Sequence, residues 1–95
     1  MFGDRFKSLR TSYRYTQSEV AERFNVPVQT VSNWENNNYI PGVETAIDIA
    51  KFFHTSLDYL FELDSRSFLE ITGLTPEQLA SVQKIIDYIR ASENA

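Results

Sequence analysis

Residues 16–35 read TQSEVAERFNVPVQTVSNWE, and their spacing decides the fold. Thr16-Gln17-Ser18-Glu19 has the capping-box pattern: a Thr side chain accepts from the backbone N–H three residues on, and the Glu reaches back. It opens a short helix whose inward face is Val20, Ala21 and Phe24. Asn25-Val26-Pro27 interrupts that helix, because Asn tolerates a left-handed turn and Pro cannot continue a helix. A second helix over about 28–36 places Val31 and Trp34 on one side. Val28, Gln29, Ser32 and Asn33 then face outward together.

The flanking sequence extends the same pattern. Phe2, Phe6, Leu9 and Tyr13 recur at helical spacing, which predicts a helix near 3–14. Downstream, Asn36–Asn38 break regularity and Pro41-Gly42 precedes a helix over about 43–53, with Ala46, Ile47, Ile49, Ala50 and Phe53 inward. Thr55-Ser56-Leu57-Asp58 starts a shorter one carrying Leu57, Leu60 and Phe61. The polar stretch 64–67 reads as a joint, followed by a turn of helix around 67–71 closed by Gly73. Thr75-Pro76-Glu77-Gln78 combines an N-cap, a first-position Pro and a second capping box. It opens a last helix over about 76–91. No sustained apolar alternation with hairpin turns occurs, so the class is all-α.

Ninety-five residues, 42% apolar and 14% aromatic, suffice for one compact domain with a short appendage. The boundaries expected are 1–63 and 64–95. There is no cysteine, hence no disulfide and no thiolate metal site. With no signal peptide or long apolar run, the chain reads as cytoplasmic, with no membrane segment. The net charge of −4 is uneven. Residues 1–42 carry five basic groups (Arg5, Lys7, Arg10, Arg14, Arg23) against four acidic ones, whereas 43–95 carry four against nine. The N-terminal part can therefore face a polyanion while the acidic part faces away. His54 is the single histidine and has no ligand partners at metal spacing. A Gly-rich phosphate loop, a nucleophile elbow and convergent titratable groups are all missing, so neither catalysis nor a cofactor is expected.

Residues 6–61 resemble the phage repressor and Cro-type, or XRE-like, helix-turn-helix family. The resemblance lies in Phe6, Leu9 and Arg10, then Thr16-Gln17-Ser18-Glu19-Val20-Ala21, Val26, Thr30-Val31-Ser32-Asn33-Trp34-Glu35-Asn36 and Pro41. It continues through Glu44-Thr45-Ala46-Ile47-Asp48-Ile49-Ala50-Lys51 and Ser56-Leu57-Asp58-Tyr59-Leu60. It implies a five-helix, lambda-repressor-like domain whose third helix lies in the major groove of DNA. The DNA-facing set expected is Gln17, Val28, Gln29, Thr30, Ser32, Asn33, Asn36 and Asn38. Gln and Asn carry a donor and an acceptor in one planar group, suited to adenine's major-groove edge, and Val28 suits a thymine methyl. The resemblance makes Gln17 a phosphate anchor at a helix start. Asn36 and Asn38 fall in a loop where amides and short side chains can meet phosphates. It also implies an Arg10–Glu35 ion pair between the first and third helices. Two departures stand out. Asn25 occupies a turn position that usually holds Gly, and Asn37-Asn38 replace a Gly followed by a basic residue, which removes a positive charge from the loop.

The last helix carries the assembly signal. Leu79, Val82, Ile86 and Ile89 follow the a/d spacing of a coiled-coil seam, with Ile85 flanking. Such a face must be buried, and one recognition helix covers too little DNA for useful specificity. A homodimer on an inverted-repeat operator is therefore expected, with Phe68, Leu69, Ile71 and Leu74 widening the interface. The function expected is a repressor from a phage, mobile element or bacterial regulatory locus, possessing an anti-repressor partner where repression is relieved by a protein. The rival is an antitoxin that binds a toxin and autoregulates through its helix-turn-helix.

Overall fold

The structure, a computed structural model, describes residues 1–63, 66 and 69–94. Among these residues the secondary structure is six helices: α1 (Phe2–Ser12), α2 (Gln17–Arg23), α3 (Val28–Glu35), α4 (Val43–Phe52), α5 (Leu57–Leu60) and α6 (Pro76–Asn94). Helix α1 ends two residues earlier than its apolar spacing predicts, because Arg14 adopts φ +62°. Helix α6 runs to Asn94, since no breaker follows Arg90. Of the helical turn expected at 67–71, Ser67 and Phe68 lie outside the described residues. Leu69–Ile71 are not helical, and a turn over Ile71–Leu74, with Gly73 at φ +89°, leads into α6.

Both capping boxes form. Thr16 Oγ1 accepts from Glu19 N at 3.0 Å while Thr16 N donates to Glu19 Oε1 at 2.8 Å. Thr75 and Gln78 repeat the exchange at 3.2 and 2.9 Å. The opposite ends share a second device. Each of α1–α5 ends with a residue in the left-handed region, and none of the five is glycine: Arg14, Asn25, Asn37, His54 and Glu62. In every case that residue's N–H and the next one's bond back to the last turn, as Asn25 N does to Glu22 O and Val26 N to Ala21 O. This is the Schellman arrangement, which satisfies helix carbonyls that have no partner within the helix.

Phe6 sits at the centre of the core, edge-on to Trp34 (5.8 Å) and to Phe53 (6.0 Å). Around it pack Phe2, Val20, Ala21, Val31, Ile49, Ala50 and Leu60, all buried. Ala46 is also buried, and Ile47, expected inward, is half-buried. The packed helix pairs are α1 with α3 and α5, α2 with α3, and α4 with α5. Helix α6 belongs to none of them and contributes nothing to the core. A bond of 2.9 Å between His54 Nδ1 and Glu70 Oε2 ties the segment before α6 to the end of α4. The radius of gyration, 15.4 Å, exceeds the roughly 12 Å of a compact chain this long.

Candidate nucleic-acid interface

Helix α3 is held from behind. Val31 and Trp34 are buried, and Glu35, next to Trp34, is the only buried charged residue among those described. Its carboxylate accepts from Arg10 Nε at 2.5 Å and Arg10 Nη2 at 3.2 Å, and from Gln17 Nε2 at 2.9 Å. Arg10 Nη1 donates to the Tyr15 carbonyl at 2.8 Å. The side chains of Arg10 and Glu35 are 13% and 3% exposed. One charge cluster therefore fixes α1, α2 and the α1–α2 turn to the end of α3. The ion pair expected from sequence is present; the Gln17 arm was not anticipated, since Gln17 was read as facing outward.

A second clamp acts at the same end of α3. Gly3 N donates to Asn37 Oδ1 at 2.8 Å. A Cβ on Gly3 would lie 2.3 Å from the Trp34 carbonyl oxygen and 2.7 Å from that of Glu35. The start of α1 thus packs directly on the backbone that leaves α3. Sequence reading missed Gly3, because a contact 34 residues away along the chain leaves no local signal.

The outward face of α3 is polar. Val28 and Gln29 are exposed, and Thr30, Ser32 and Asn33 half-buried. A network runs over this face and into the loop behind it. Gln29 Nε2 donates to Asn33 Oδ1 (3.4 Å), Asn38 Nδ2 donates to the same oxygen (2.9 Å), and Asn33 Nδ2 donates to the Tyr39 hydroxyl (3.3 Å). Asn36 Nδ2 donates to Ser32 Oγ at 3.3 Å. The backbone N–H groups of Asn36, Asn37 and Asn38 bond to the carbonyls of Ser32, Trp34 and Asn33. The loop amides expected to meet phosphates are thus engaged within the protein. Tyr39, which sequence reading did not single out, joins the expected residues through its hydroxyl.

Of the five basic residues in 1–42, three have structural work. Arg10 pairs with Glu35. Arg5 donates to the Tyr59 carbonyl and lies over the Tyr59 ring at 4.4 Å. Arg23 lies over the rings of Phe24 and Phe52. The outward residues of α3, Val28, Gln29, Thr30, Ser32 and Asn33, carry no charge themselves. Among the described residues no group of His, Asp and Glu could hold a metal ion, and no helix is long and apolar enough to cross a membrane.

The C-terminal segment presents a different surface. An open groove is lined by Leu69, Ile71, Leu79, Ala80, Val82, Gln83 and Ile86. Leu79, Val82 and Ile86 are half-buried there, while Ile85 and Ile89 beside them are 60% and 50% exposed. The seam residues expected from sequence thus share one side of α6, while Phe68 lies outside the described residues. Tyr88 falls on the far side of α6 from Leu79 and Ile86 and is not part of that seam.

Comparison with known proteins agrees with this geometry. The sequence model of the helix-turn-helix family matches residues 6–60. The HTH-type transcriptional activator BcrR of Enterococcus faecalis is 31% identical over 88 residues, covering 93% of this chain and 41% of BcrR. The HTH-type transcriptional regulator ImmR of Bacillus subtilis (strain 168) is 30% identical over 86 residues, covering 90% of this chain and 68% of ImmR. The chain thus spans about two fifths of one relative and two thirds of the other. A solved transcriptional regulator from Listeria innocua shares the fold with a TM-score of 0.64 at 20% identity, covering 96% of this chain and 94% of its own. The SinR protein/SinI protein complex matches with a TM-score of 0.58 at 23% identity over the full length of both chains. With the family model spanning more than half of its length, the chain belongs to the XRE-type helix-turn-helix family of DNA-binding transcriptional regulators.

Proposed function

We propose that the chain is a homodimeric repressor of a phage, mobile-element or bacterial operator, with α3 in the major groove and α6 as the dimer element. The observation that carries this reading is the apolar side of α6, which joins no core helix and leaves Ile85 and Ile89 exposed and Leu79, Val82 and Ile86 only half-buried along an open groove. A second copy covers it with the same residues, and a two-fold axis then presents two α3 helices to one face of the duplex. Their separation should be about 34 Å, one helical turn, or a multiple of it, and the operator an inverted repeat. Gln17, at the start of α2, stands on the phosphate side of such a complex.

Footprinting on the gene's upstream region, together with sedimentation of the wild type and Ile86→Asp, tests the reading. The wild type should be dimeric at tens of micromolar and protect an inverted repeat. Ile86→Asp should be a folded monomer with weak, sequence-poor binding. A monomeric wild type, or a mutant that still dimerises, would sink the dimer. A reporter driven by the protected promoter should fall when the protein is supplied. A rise would make it an activator, as BcrR is named.

A second reading has α6 receiving a different protein, an anti-repressor or a toxin. It is favoured by one structural neighbour being a complex of two named proteins. Co-expression with the adjacent small open reading frames decides: a stoichiometric heteromer that displaces the homodimer supports this second reading.

A further inference from the structure

Resting on the DNA-binding reading above, we infer that Asn33 is a positioning residue, and that Gln29 alone of the two amides reads a base. Asn33 Oδ1 accepts from both Asn38 Nδ2 (2.9 Å) and Gln29 Nε2 (3.4 Å), and Asn33 Nδ2 donates to the Tyr39 hydroxyl (3.3 Å). An amide oxygen has two lone pairs, and both are occupied. Bidentate pairing with adenine needs one acceptor and one donor from the same planar amide. Asn33 has no acceptor left to give.

Gln29 stands differently. Its bond to Asn33 takes one Nε2 hydrogen and leaves Oε1 and the other hydrogen, a complete edge for adenine N6 and N7. The same bond sets which way the Gln29 amide faces. Preorganisation of this kind lowers the side-chain entropy lost on binding.

Asn33 also holds the loop. Asn38 and Tyr39 are both tied to it, while Asn37 is tied to Gly3 and Asn36 to Ser32. With the backbone N–H groups of Asn36–Asn38 bonded inside the protein, Tyr39 supplies what the loop offers DNA. Its hydroxyl accepts from Asn33 and keeps its own proton, and the residue is about half exposed. That proton can go to a phosphate oxygen, at a loop with no cation between Asn36 and Gly42.

The test selects from randomised duplex DNA with the full chain, then repeats the selection with Gln29→Ala, Asn33→Ala, Asn38→Ala and Tyr39→Phe. Gln29→Ala should lose preference at one base pair per half-site, about five- to a hundredfold. Asn33→Ala should keep the preferred base at every position, weaken all sequences by about three- to tenfold, and reduce discrimination only at the base pair that Gln29 reads. Tyr39→Phe and Asn38→Ala should show a uniform loss of that size. Asn33→Ala combined with Tyr39→Phe should lose less than the product of the single losses, because both break one network. If Asn33→Ala changes the preferred base at any position, Asn33 is a base reader and the inference fails. If Tyr39→Phe binds like wild type, the phosphate role fails. A wild type that enriches no sequence overturns the DNA-reading function itself, a result distinct from either.

Discussion

Residues 1–63 and 69–94 are both helical and both carry a capping box, yet they use apolar side chains in opposite ways. In the first region Phe2, Phe6, Trp34, Phe53 and Leu60 are buried and every helix end is closed by backbone bonds. In the second no described residue is buried, and Leu69, Ile85, Tyr88 and Ile89 are at least half exposed. Helix formation is therefore a local matter, whereas stability comes from packing an amphipathic face. The first region completes its packing internally. The second leaves Ile85 and Ile89 exposed and Leu79, Val82 and Ile86 only half-buried, a face suited to a partner.

The comparison can be broken most severely at Glu35. Glu35→Ala strands the Arg10 guanidinium and removes the acceptor of Gln17, and should cost about 3–5 kcal/mol of unfolding free energy. Ile86→Asp, although more drastic in polarity, falls on a half-buried residue outside the core and should lower the unfolding free energy of the dilute first region by no more than about 0.5 kcal/mol. Equilibrium denaturation of both variants checks the pair. A large loss for Ile86→Asp at high dilution would show that α6 supports the first region.

Gly3→Ala comes next. The added methyl meets the Trp34 and Glu35 carbonyls, which are backbone and cannot swing aside. Overpacking of this kind costs about 1–3 kcal/mol. The start of α1 must also move off Asn37, so DNA affinity should fall even where the protein stays folded. Urea midpoints, with gel shifts below them, measure the two effects separately.

These two sites mark how far the sequence could be read. The helices, the caps at Thr16 and Thr75 and the Arg10–Glu35 pair were legible, because each follows from local spacing or from a multi-element resemblance. Gly3 and Tyr39 were not, since their partners lie across the fold or beyond the helix that sequence reading followed. The left-handed helix ends were legible in part. Asn25 was read correctly, because Asn is a familiar substitute for Gly there. Arg14, His54 and Glu62 went unnoticed, because long side chains rarely adopt positive φ. A signal was nonetheless present. Tyr13, Phe24, Phe53 and Phe61 each stand just before the left-handed residue, so an aromatic followed by a polar residue marks four of the five helix ends. The role of Asn33 was hidden for another reason: the helical wheel gives its direction but not the partners already occupying its amide.

Removing a cap sharpens the contrast between the regions. Thr16→Ala should cost about 1 kcal/mol of global stability, because α2 unfolds with the core. Thr75→Ala should fray α6, seen as lost ellipticity at 222 nm, without moving the cooperative transition of the dilute protein. Acid separates the boxes further. The bond from the Thr16 backbone N–H, followed by the bond with its hydroxyl, holds the Glu19 carboxyl below its usual range. Its contribution is therefore complete above the unfolded carboxylate pKa and is lost as pH falls through the lowered value. Gln78 does not titrate. The Thr16→Ala penalty should thus shrink in acid, while the Thr75→Ala fraying should not. A Thr75→Ala variant that lowered the global transition as much as Thr16→Ala would mean that α6 belongs to the same cooperative unit.

The smallest effect runs in the opposite direction. Arg14 holds φ +62° at the end of α1 and is exposed. Its contribution to the helix end is its backbone N–H, bonded to the Thr11 carbonyl at 3.0 Å, which glycine retains. A left-handed non-glycine residue costs about 1–2 kcal/mol, while glycine adds about 0.4–1 kcal/mol of unfolded-state entropy to be lost on folding. Arg14→Gly should therefore stabilise by a net of about 0.5–1 kcal/mol. Glu62→Gly should gain less, because the Glu62 carboxylate pairs with the Met1 amine at 2.5 Å and with Arg5 at 3.7 Å. His54→Gly loses the bond to Glu70, one tie between the two regions. Its global stability should rise as that of Arg14→Gly does, while amide exchange in residues 69–71 accelerates. If His54→Gly instead destabilised the core, the segment before α6 would be a supporting part of the first region rather than a tether to the second.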